Sequence, residues 1–467
     1  MKKYRTEKDT LGDVRVPKTA YYGAQTQRAY ENFPISGYRM PREFIRALGI
    51  IKRAAAEANV RVSLLDKKIG DAIVQAANEV IDGKFDDEFI VDIYQTGSGT
   101  STNMNANEII ANRAIEILGG IIGSKNPVHP NDHVNLGQSS NDVIPSAIHI
   151  AALESIERNL LPALDYLAES LRNKAKEFDD VVKIGRTHLQ DAVPIRLGQE
   201  FSGYASQIGH GIQRIMSAKV NLQELALGGT AVGTGLNTHK KFPELAIKKI
   251  SYYTGIGFCG APNRFEAMAA RDAVVEMSGQ LKTIAVSLMK IANDLRWLNS
   301  GPRCGIGEIT LPSLQPGSSI MPGKVNPVIP ESVMMICATV IGNDTAITIG
   351  GQHGNFELNV MMPMMAYHLL ESIRLLSNGA RNFVDRCITG IIANRDRAEA
   401  LIENSLAMVT ALVPKIGYDA AAKISKEAYT SGKTVRQIAA EMKLLPEDEL
   451  SRVLDPMRQT ERGLVGG

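Results

Sequence analysis

Between residues 274 and 298, apolar side chains recur at alternating spacings of three and four. They are Val274, Met277, Leu281, Ile284, Leu288, Ile291, Leu295 and Leu298. Such a run is a heptad seam, and it demands lengthwise packing of one helix against others. The helical pattern around it extends over 265–298, about 50 Å of helix at 1.5 Å per residue. A helix of that length exceeds what a small domain needs. It implies a long bundle, shared between subunits.

The rest of the chain is consistent with that frame. Leu153, Ile156, Leu160, Leu164, Leu167 and Leu171 trace a second pattern, with Pro162 inside it to kink it. Helical spacing also recurs at 40–82, 104–118, 197–226, 330–349, 358–388, 396–411 and 418–430. Strand signals are few and short, so the expected fold is mostly α, built around a bundle. A polar connector over 120–145 and a break near 388–396 divide the 467 residues into three parts. The expected domains are 1–137, a central bundle domain 138–393, and a small helical domain 394–467.

Composition excludes several classes. The 52 basic and 50 acidic residues nearly cancel, and no basic run is interleaved with aromatics, so no nucleic acid or anionic membrane is expected as a partner. No stretch of about 20 uninterrupted apolar residues appears, so no bilayer span is expected. The charged start carries no apolar core of a secretory signal. Cys259, Cys304, Cys337 and Cys387 form no C-x-x-C pair and no cluster with histidine. That pattern fits a reducing cytoplasm and no zinc or iron–sulfur site, and no cofactor is called for.

Four polar loops stand out against the helices. They are Thr96–Asn105, Gly137–Asp142, Gly185–Asp191 and Gly317–Pro327. In the last, two glycines and two prolines forbid regular structure, while two serines, Lys324 and Asn326 supply donors around free backbone N–H groups. Such loops suit small carboxylates. Each is also what caps and turns look like, and by itself none decides between the two. His188 is the natural acid/base candidate by residue type. His129, His133 and His149 compete with it, and composition does not rank them. Gly255-Ile-Gly-Phe-Cys-Gly260 spells a dinucleotide-binding pattern. However, Pro262 and the bundle helix follow it, and no strand–helix alternation surrounds it, as that fold needs.

Gly317-Ser-Ser-Ile-Met-Pro-Gly-Lys-Val-Asn-Pro327 resembles the signature loop G-S-S-x-M-P-x-K-x-N-P of the aspartase/fumarase superfamily. The resemblance covers nearly the whole chain, including Gly233-Thr-Gly-Leu-Asn237 and Ser300-Gly-Pro-Arg303. Within the superfamily the chain looks like a class II fumarase. Gly97-Ser-Gly-Thr100, Gln138-Ser-Ser-Asn-Asp142, Cys304-Gly-Ile-Gly307 and Gly354-Asn-Phe-Glu357 carry that distinction. Asn32-Phe-Pro-Ile-Ser-Gly37 is similar to some bacterial aspartases as well.

The resemblance implies reversible trans-hydration of fumarate to (S)-malate through an aci-carboxylate carbanion, without a metal. It implies Ser318 as the base, with Lys324 and Asn326 stabilising the developing charge. His188, oriented by Glu331, would act through water on the leaving hydroxyl. Ser98, Gly99, Thr100, Ser139, Ser140, Asn141, Thr187, Ser319 and Val325 would bind substrate. His129, Pro130, Asn131 and Asp132 match a second dicarboxylate site. Three mostly helical domains and a homotetrameric bundle are implied, with each active site drawing on three chains. The alternatives are an aspartate ammonia-lyase and, more remotely, a catalytically silent structural homologue. A serine hydroxyl is a weak base, so composition and resemblance disagree on where the base lies.

Overall fold

Residues 3–464 are described by a computed structural model. They divide into two compact units. One comprises the chain to Pro162, Gln213–Ala285 and Ala338–Ser377. The other comprises Ala163–Ile212, Val286–Cys337 and the chain from Asn378.

The heptad seam is real, but its helix is shorter than the pattern suggests. It runs Asp272–Leu298, about 40 Å at the α-helical rise. A separate short helix, Arg264–Ala269, precedes it, and Ala270 is extended between them at φ −93° and ψ 155°. Arg271 explains the break. It is 2% exposed and turns back to donate to the Ala267 carbonyl at the end of the short helix. Every seam residue from Val274 to Leu298 is at most 4% exposed within the single chain.

Helix Val328–Gly351 buries its own three-four row of Val333, Cys337, Val340, Asp344 and Ile347. In the first unit, Asp344 accepts from Ser278 Oγ at 2.8 Å and Lys282 Nζ at 2.6 Å. Asn343 donates to Glu371 Oε2 at 3.0 Å and Ser372 Oγ at 3.1 Å on helix Met362–Arg386. These bonds fix register between long helices that apolar packing alone leaves free to slide. In the second unit, Arg296 Nη1 lies 3.3 Å from Met334 Sδ. Val328–Gly351 is also the one described helix long and apolar enough, by composition, to cross a membrane. Only 39% of that window is buried.

The remainder of the first unit opens with an antiparallel hairpin, Tyr4–Asp9 with Gly12–Pro17. Helices Ala24–Asn32, Arg42–Arg61, Lys67–Ile81, Thr100–Ile117, Ser140–Ser155 and Phe242–Thr254 follow. The first and last of these were not expected. Ala24–Asn32 is polar in sequence, and a buried carboxylate substitutes for the missing side-chain cap: Glu108 accepts the Gly23, Gln25 and Thr26 N–H groups at 2.9–3.0 Å. Ile250–Thr254, which could read as a strand, ends a helix stopped by Gly255 at φ 74°. The Gly255–Gly260 pattern therefore lies on a helix stop and a two-residue parallel bridge. It is not a strand–turn–helix phosphate loop. Ahead of Pro162, where a kink is expected, the helix passes through a π-helical stretch, Ile156–Leu160, and Pro162 falls in the first turn of the α-helix that follows, Leu161–Glu177.

In the second unit, hairpin Val182–Thr187 with Gln190–Arg196 projects from helix Leu197–Ala218. The chain ends in short helices around a core that includes Ile402, Met408, Ile424 and Val453. The expected helix 396–411 is α-helical only over Arg395–Asn404, and Leu406–Leu412 continues as a 3-10 segment.

One partly buried histidine makes this fold sensitive to acid. His149 Nδ1 donates to the Glu224 carbonyl at 2.8 Å. Burial and the neighbouring Arg271 charge push its pKa down to about 4, against 6.5 for the free side chain. The folded state therefore holds fewer protons between those values. The stability contributed by this group is complete above pH 6.5 and is lost as pH falls through 4. We expect thermal unfolding of wild type to fall more steeply than that of His149→Gln across this window, by roughly 2 kcal/mol or less. Parallel curves for the two proteins would show that His149 is not responsible.

Candidate functional site

Two helix N-termini meet in the first unit. Thr100 begins helix Thr100–Ile117, and Ser140 begins helix Ser140–Ser155. Their hydroxyls are in contact: Ser98 Oγ lies 2.8 Å from Thr100 Oγ1, which lies 2.8 Å from Ser140 Oγ. A helix start carries unpaired N–H groups and a partial positive charge, so two of them lined with hydroxyls make a carboxylate cradle. Glycines permit the approach. Gly99 sits at φ 73°, and a Cβ on Gly97 would meet the Val360 carbonyl at 1.8 Å.

Ser139 caps its helix in a reciprocal box with Asp142: the Asn141 N–H donates to Ser139 Oγ, and the Ser139 N–H donates to Asp142 Oδ1. Asn141 Nδ2 donates to the Ala231 carbonyl at 2.8 Å. Asp142 is fully buried and also accepts the N–H groups of Gly228 and Thr230, both at 2.9 Å. Its pKa rises to about 6, with burial outweighing those bonds and the attraction of Lys52. Sequence reasoning gave Asp142 no role and missed Lys52 altogether, because a lysine on a helix reads as a solvated face.

The second unit holds the signature loop. Its neck is closed by the Gly317 N–H donating to the Lys324 carbonyl at 2.7 Å and Asn326 Nδ2 donating to the Gly317 carbonyl at 2.7 Å. Inside the loop, Ser318 Oγ accepts two consecutive backbone N–H groups, Ile320 at 3.2 Å and Met321 at 3.0 Å. Two dipoles thus converge on one hydroxyl oxygen. Ser319, Lys324 and Val325 are exposed, as is Ile320 at 83%. Lys324, Val325, Asn326 and Glu331 line a cleft of about 340 Å3 with Arg296 and Trp297.

His188 stands at the tip of the 182–196 hairpin. His188 and Leu189 form the two-residue turn at φ 56° and 60°, a left-handed conformation uncommon for residues other than glycine. The hairpin is anchored by buried Glu308, which accepts from Arg186 Nη1 at 2.9 Å with Lys183 Nζ 3.3 Å away. Thr187 and His188 are exposed. The cleft that contains Glu331 does not include His188 among its lining residues.

His129 caps a short π-helical segment, Pro130–Val134. His129 Nδ1 accepts the N–H groups of Asn131 and Asp132, both at 3.2 Å. Pro130 is buried, whereas Asn131 and Asp132 are exposed. Within one chain the structure thus brings together Ser98, Thr100 and Ser140, and separately Lys324, Val325, Asn326 and Glu331.

A family model described as a lyase matches residues 12–342, and one described as the fumarase C C-terminus matches residues 408–461. The chain is 54% identical over 461 residues to a fumarate hydratase class II of Nitrosomonas europaea, covering 99% of this chain and 100% of that one. It is 53% identical over 458 residues to a mitochondrial fumarate hydratase of Rhizopus oryzae, covering 98% and 92% respectively. The crystal structure of a class II fumarase from Schistosoma mansoni superposes with a TM-score of 0.95 at 42% identity, covering 98% and 99%.

The loop neck offers a direct check. A Cβ on Gly317 would lie 2.6 Å from the Lys324 carbonyl and 2.8 Å from the Asn326 nitrogen, both backbone atoms. We expect Gly317→Ala to leave the circular-dichroism spectrum unchanged and to speed proteolytic cleavage within 317–327 at least several-fold. Unchanged cleavage would show that the neck does not hold the loop.

Proposed function

The chain belongs to the class II fumarase family of the aspartase/fumarase superfamily, and on that footing we propose that it is a fumarate hydratase interconverting fumarate and (S)-malate. It is a carbon–oxygen lyase acting on a small dicarboxylate. The observation that carries the mechanism is Ser318 Oγ receiving the Ile320 and Met321 N–H groups.

In the malate-to-fumarate direction, Ser318 Oγ as alkoxide takes the C3 proton. The electron pair left on C3 delocalises into the adjacent carboxylate, giving a dianionic aci-carboxylate. An alkoxide is far too basic to persist in water. Two amide dipoles fixed on its oxygen and the Lys324 charge on the same loop favour that anion. Lys324 and Asn326 then stabilise the charge as it moves to the carboxylate, the species this site should bind best. The C2–O bond breaks as His188, acting through a water and oriented by Glu331, delivers a proton to the leaving hydroxyl. Fumarate and water result, and the route calls on no metal. Ser98, Gly99, Thr100, Ser139, Ser140, Asn141, Thr187, Ser319 and Val325 hold the carboxylates. His129, Pro130, Asn131 and Asp132 form a second dicarboxylate site away from the chemistry.

We further infer a homotetramer whose active sites combine loops from three chains. Support comes from helix Val328–Gly351. Met335, Ala338, Thr339, Gly342, Thr345 and Ile349 form an exposed stripe at helical spacing, rich in small side chains, on a helix with little charge. Small residues at that spacing allow close helix packing. The three-domain division at 1–137, 138–393 and 394–467 and a cytoplasmic location belong to the same reading. The four unpaired cysteines suit a reducing compartment.

Three measurements test this. Malate should yield fumarate, followed by ultraviolet absorbance, and should be strongly preferred to aspartate. A preference for aspartate would instead make the chain an ammonia-lyase. Ser318→Ala should cut turnover roughly 10³-fold with helical content unchanged. An unaffected rate would remove Ser318 as the base. Finally, Ser318→Ala and His188→Ala chains, each nearly inactive, should regain about a quarter of wild-type activity when refolded together in equal amounts, since some mixed sites then receive both intact residues. No recovery would place the whole site in one chain.

A further inference from the structure

Behind the paired helix starts lies an ionisable group that the mechanism does not use. Lys52, on helix Arg42–Arg61, is 0% exposed. Its Nζ donates to Asn135 Oδ1 and Gln138 Oε1, both at 3.0 Å. Asn135 Oδ1 is a shared acceptor: Asn103 Nδ2 at 3.2 Å and Asn107 Nδ2 at 3.1 Å also reach it, from the helix that Thr100 begins. The remaining capacity of the two amides is turned onto the segment leading to Ser139. Asn135 Nδ2 donates to the Gln138 carbonyl at 3.1 Å. Gln138 Nε2 donates to the carbonyls of Val134 and Leu136 at 3.1 and 3.2 Å.

One side of this network is therefore the helix carrying the 98–100 loop, and the other is the segment that delivers Ser139, Ser140 and Asn141. Lys52 is the donor on which it converges, with its pKa lowered by burial to about 7 against the attraction of Asp142. A buried ammonium is costly without partners, so a fully enclosed lysine is retained only where its donors are used. A carbonyl oxygen has two lone pairs, yet three N–H donors crowd Asn135 Oδ1. The strongest of them is Lys52 in its charged form.

We propose that Lys52 is a positioning residue for substrate binding: through Asn135 and Gln138 it sets the spacing between the 98–100 hydroxyls and the start of the helix at Ser140. It touches no substrate atom. The Ser98–Thr100–Ser140 contacts, at 2.8 Å each, are what it keeps in register. This rests on the fumarate hydratase reading. Carboxylate grips of this kind act alike on substrate and transition state. Their loss therefore raises KM and spares kcat.

The test is a pair of variants assayed with malate. Lys52→Met removes the donors and keeps much of the length. Lys52→Met/Gln138→Met also removes an acceptor that the first change leaves unpaired, and so restores packing. We expect Lys52→Met to raise KM about tenfold with kcat within roughly threefold of wild type. We expect the double variant to recover the thermal midpoint but keep the raised KM. A folded Lys52→Met with wild-type KM would overturn the proposal, as would a KM that returns to normal together with stability in the double variant. Should Lys52→Met fail to fold, the double variant alone decides, because a wild-type KM in it leaves Lys52 no positioning role. An inactive wild type would overturn the fumarate hydratase reading instead, so the two failures are distinct.

Discussion

The apolar seam along Asp272–Leu298 is the constraint on which the other features depend. A row of side chains buried to 4% exposure or less over 25 residues leaves the helix no freedom to bend or rotate. Its partners must be equally long. Their ends, not their middles, then become the places where the chain can turn, carry glycine and expose hydroxyls. Every polar loop singled out in the sequence lies at or beside the end of a helix. Ser98–Thr100 precedes one helix, Ser139–Ser140 another, Thr187–His188 forms a hairpin before a third, and Gly317–Pro327 leads into Val328–Gly351. The scaffold therefore supplies rigid mounting and the loops supply chemistry, a division that suits a reaction needing many fixed donors.

In the proposed mechanism a weak acid as the base is the chemical difficulty, and the loop addresses it locally. Ser318 is placed so that the N–H groups two and three residues ahead point at its oxygen, the arrangement by which a serine caps a helix. Here no long helix follows. The same dipoles that would cap a helix are left to stabilise negative charge on Oγ. A cation on the same loop adds to their effect at the reacting end of the substrate. In the first unit the helix starts at Thr100 and Ser140 offer the same dipoles, in our proposal to the substrate carboxylates. On the proposed mechanism backbone dipoles serve both binding and deprotonation, with few formal charges.

What was legible in the sequence follows from how local each signal is. The seam, the helices over 330–349 and 358–388, and the four loops depend on spacing and on Gly, Pro and Ser, which act within a few residues. The break at Ala270 and Arg271 was not legible. It depends on a buried arginine bending back onto the preceding helix, and the heptad pattern from 274 onward merges smoothly with what lies before. Ala24–Asn32 was missed because its start is satisfied by Glu108, more than 80 positions away. Lys52 was missed for the same reason: its partners are Asn135 and Gln138, and nothing around residue 52 announces them. The candidate hydroxyls were visible because they sit on loops or at helix starts. The groups that hold them were hidden inside helices.

This asymmetry bears on how such a site stays accurate. The residues proposed to touch substrate are mostly small and neutral. Their precision must come from behind them, from Asp142 joining three backbone N–H groups, from Glu308 anchoring the 182–196 hairpin, and from Lys52 joining two helices through one amide oxygen. All three are ionisable groups at most 1% exposed. A buried charge with several partners is stiff, because moving any partner leaves part of that charge unsatisfied at a cost of several kcal/mol. Neutral packing tolerates small slips without such a penalty. The fold therefore places its formal charges where geometry must not drift and leaves the binding surface itself largely uncharged.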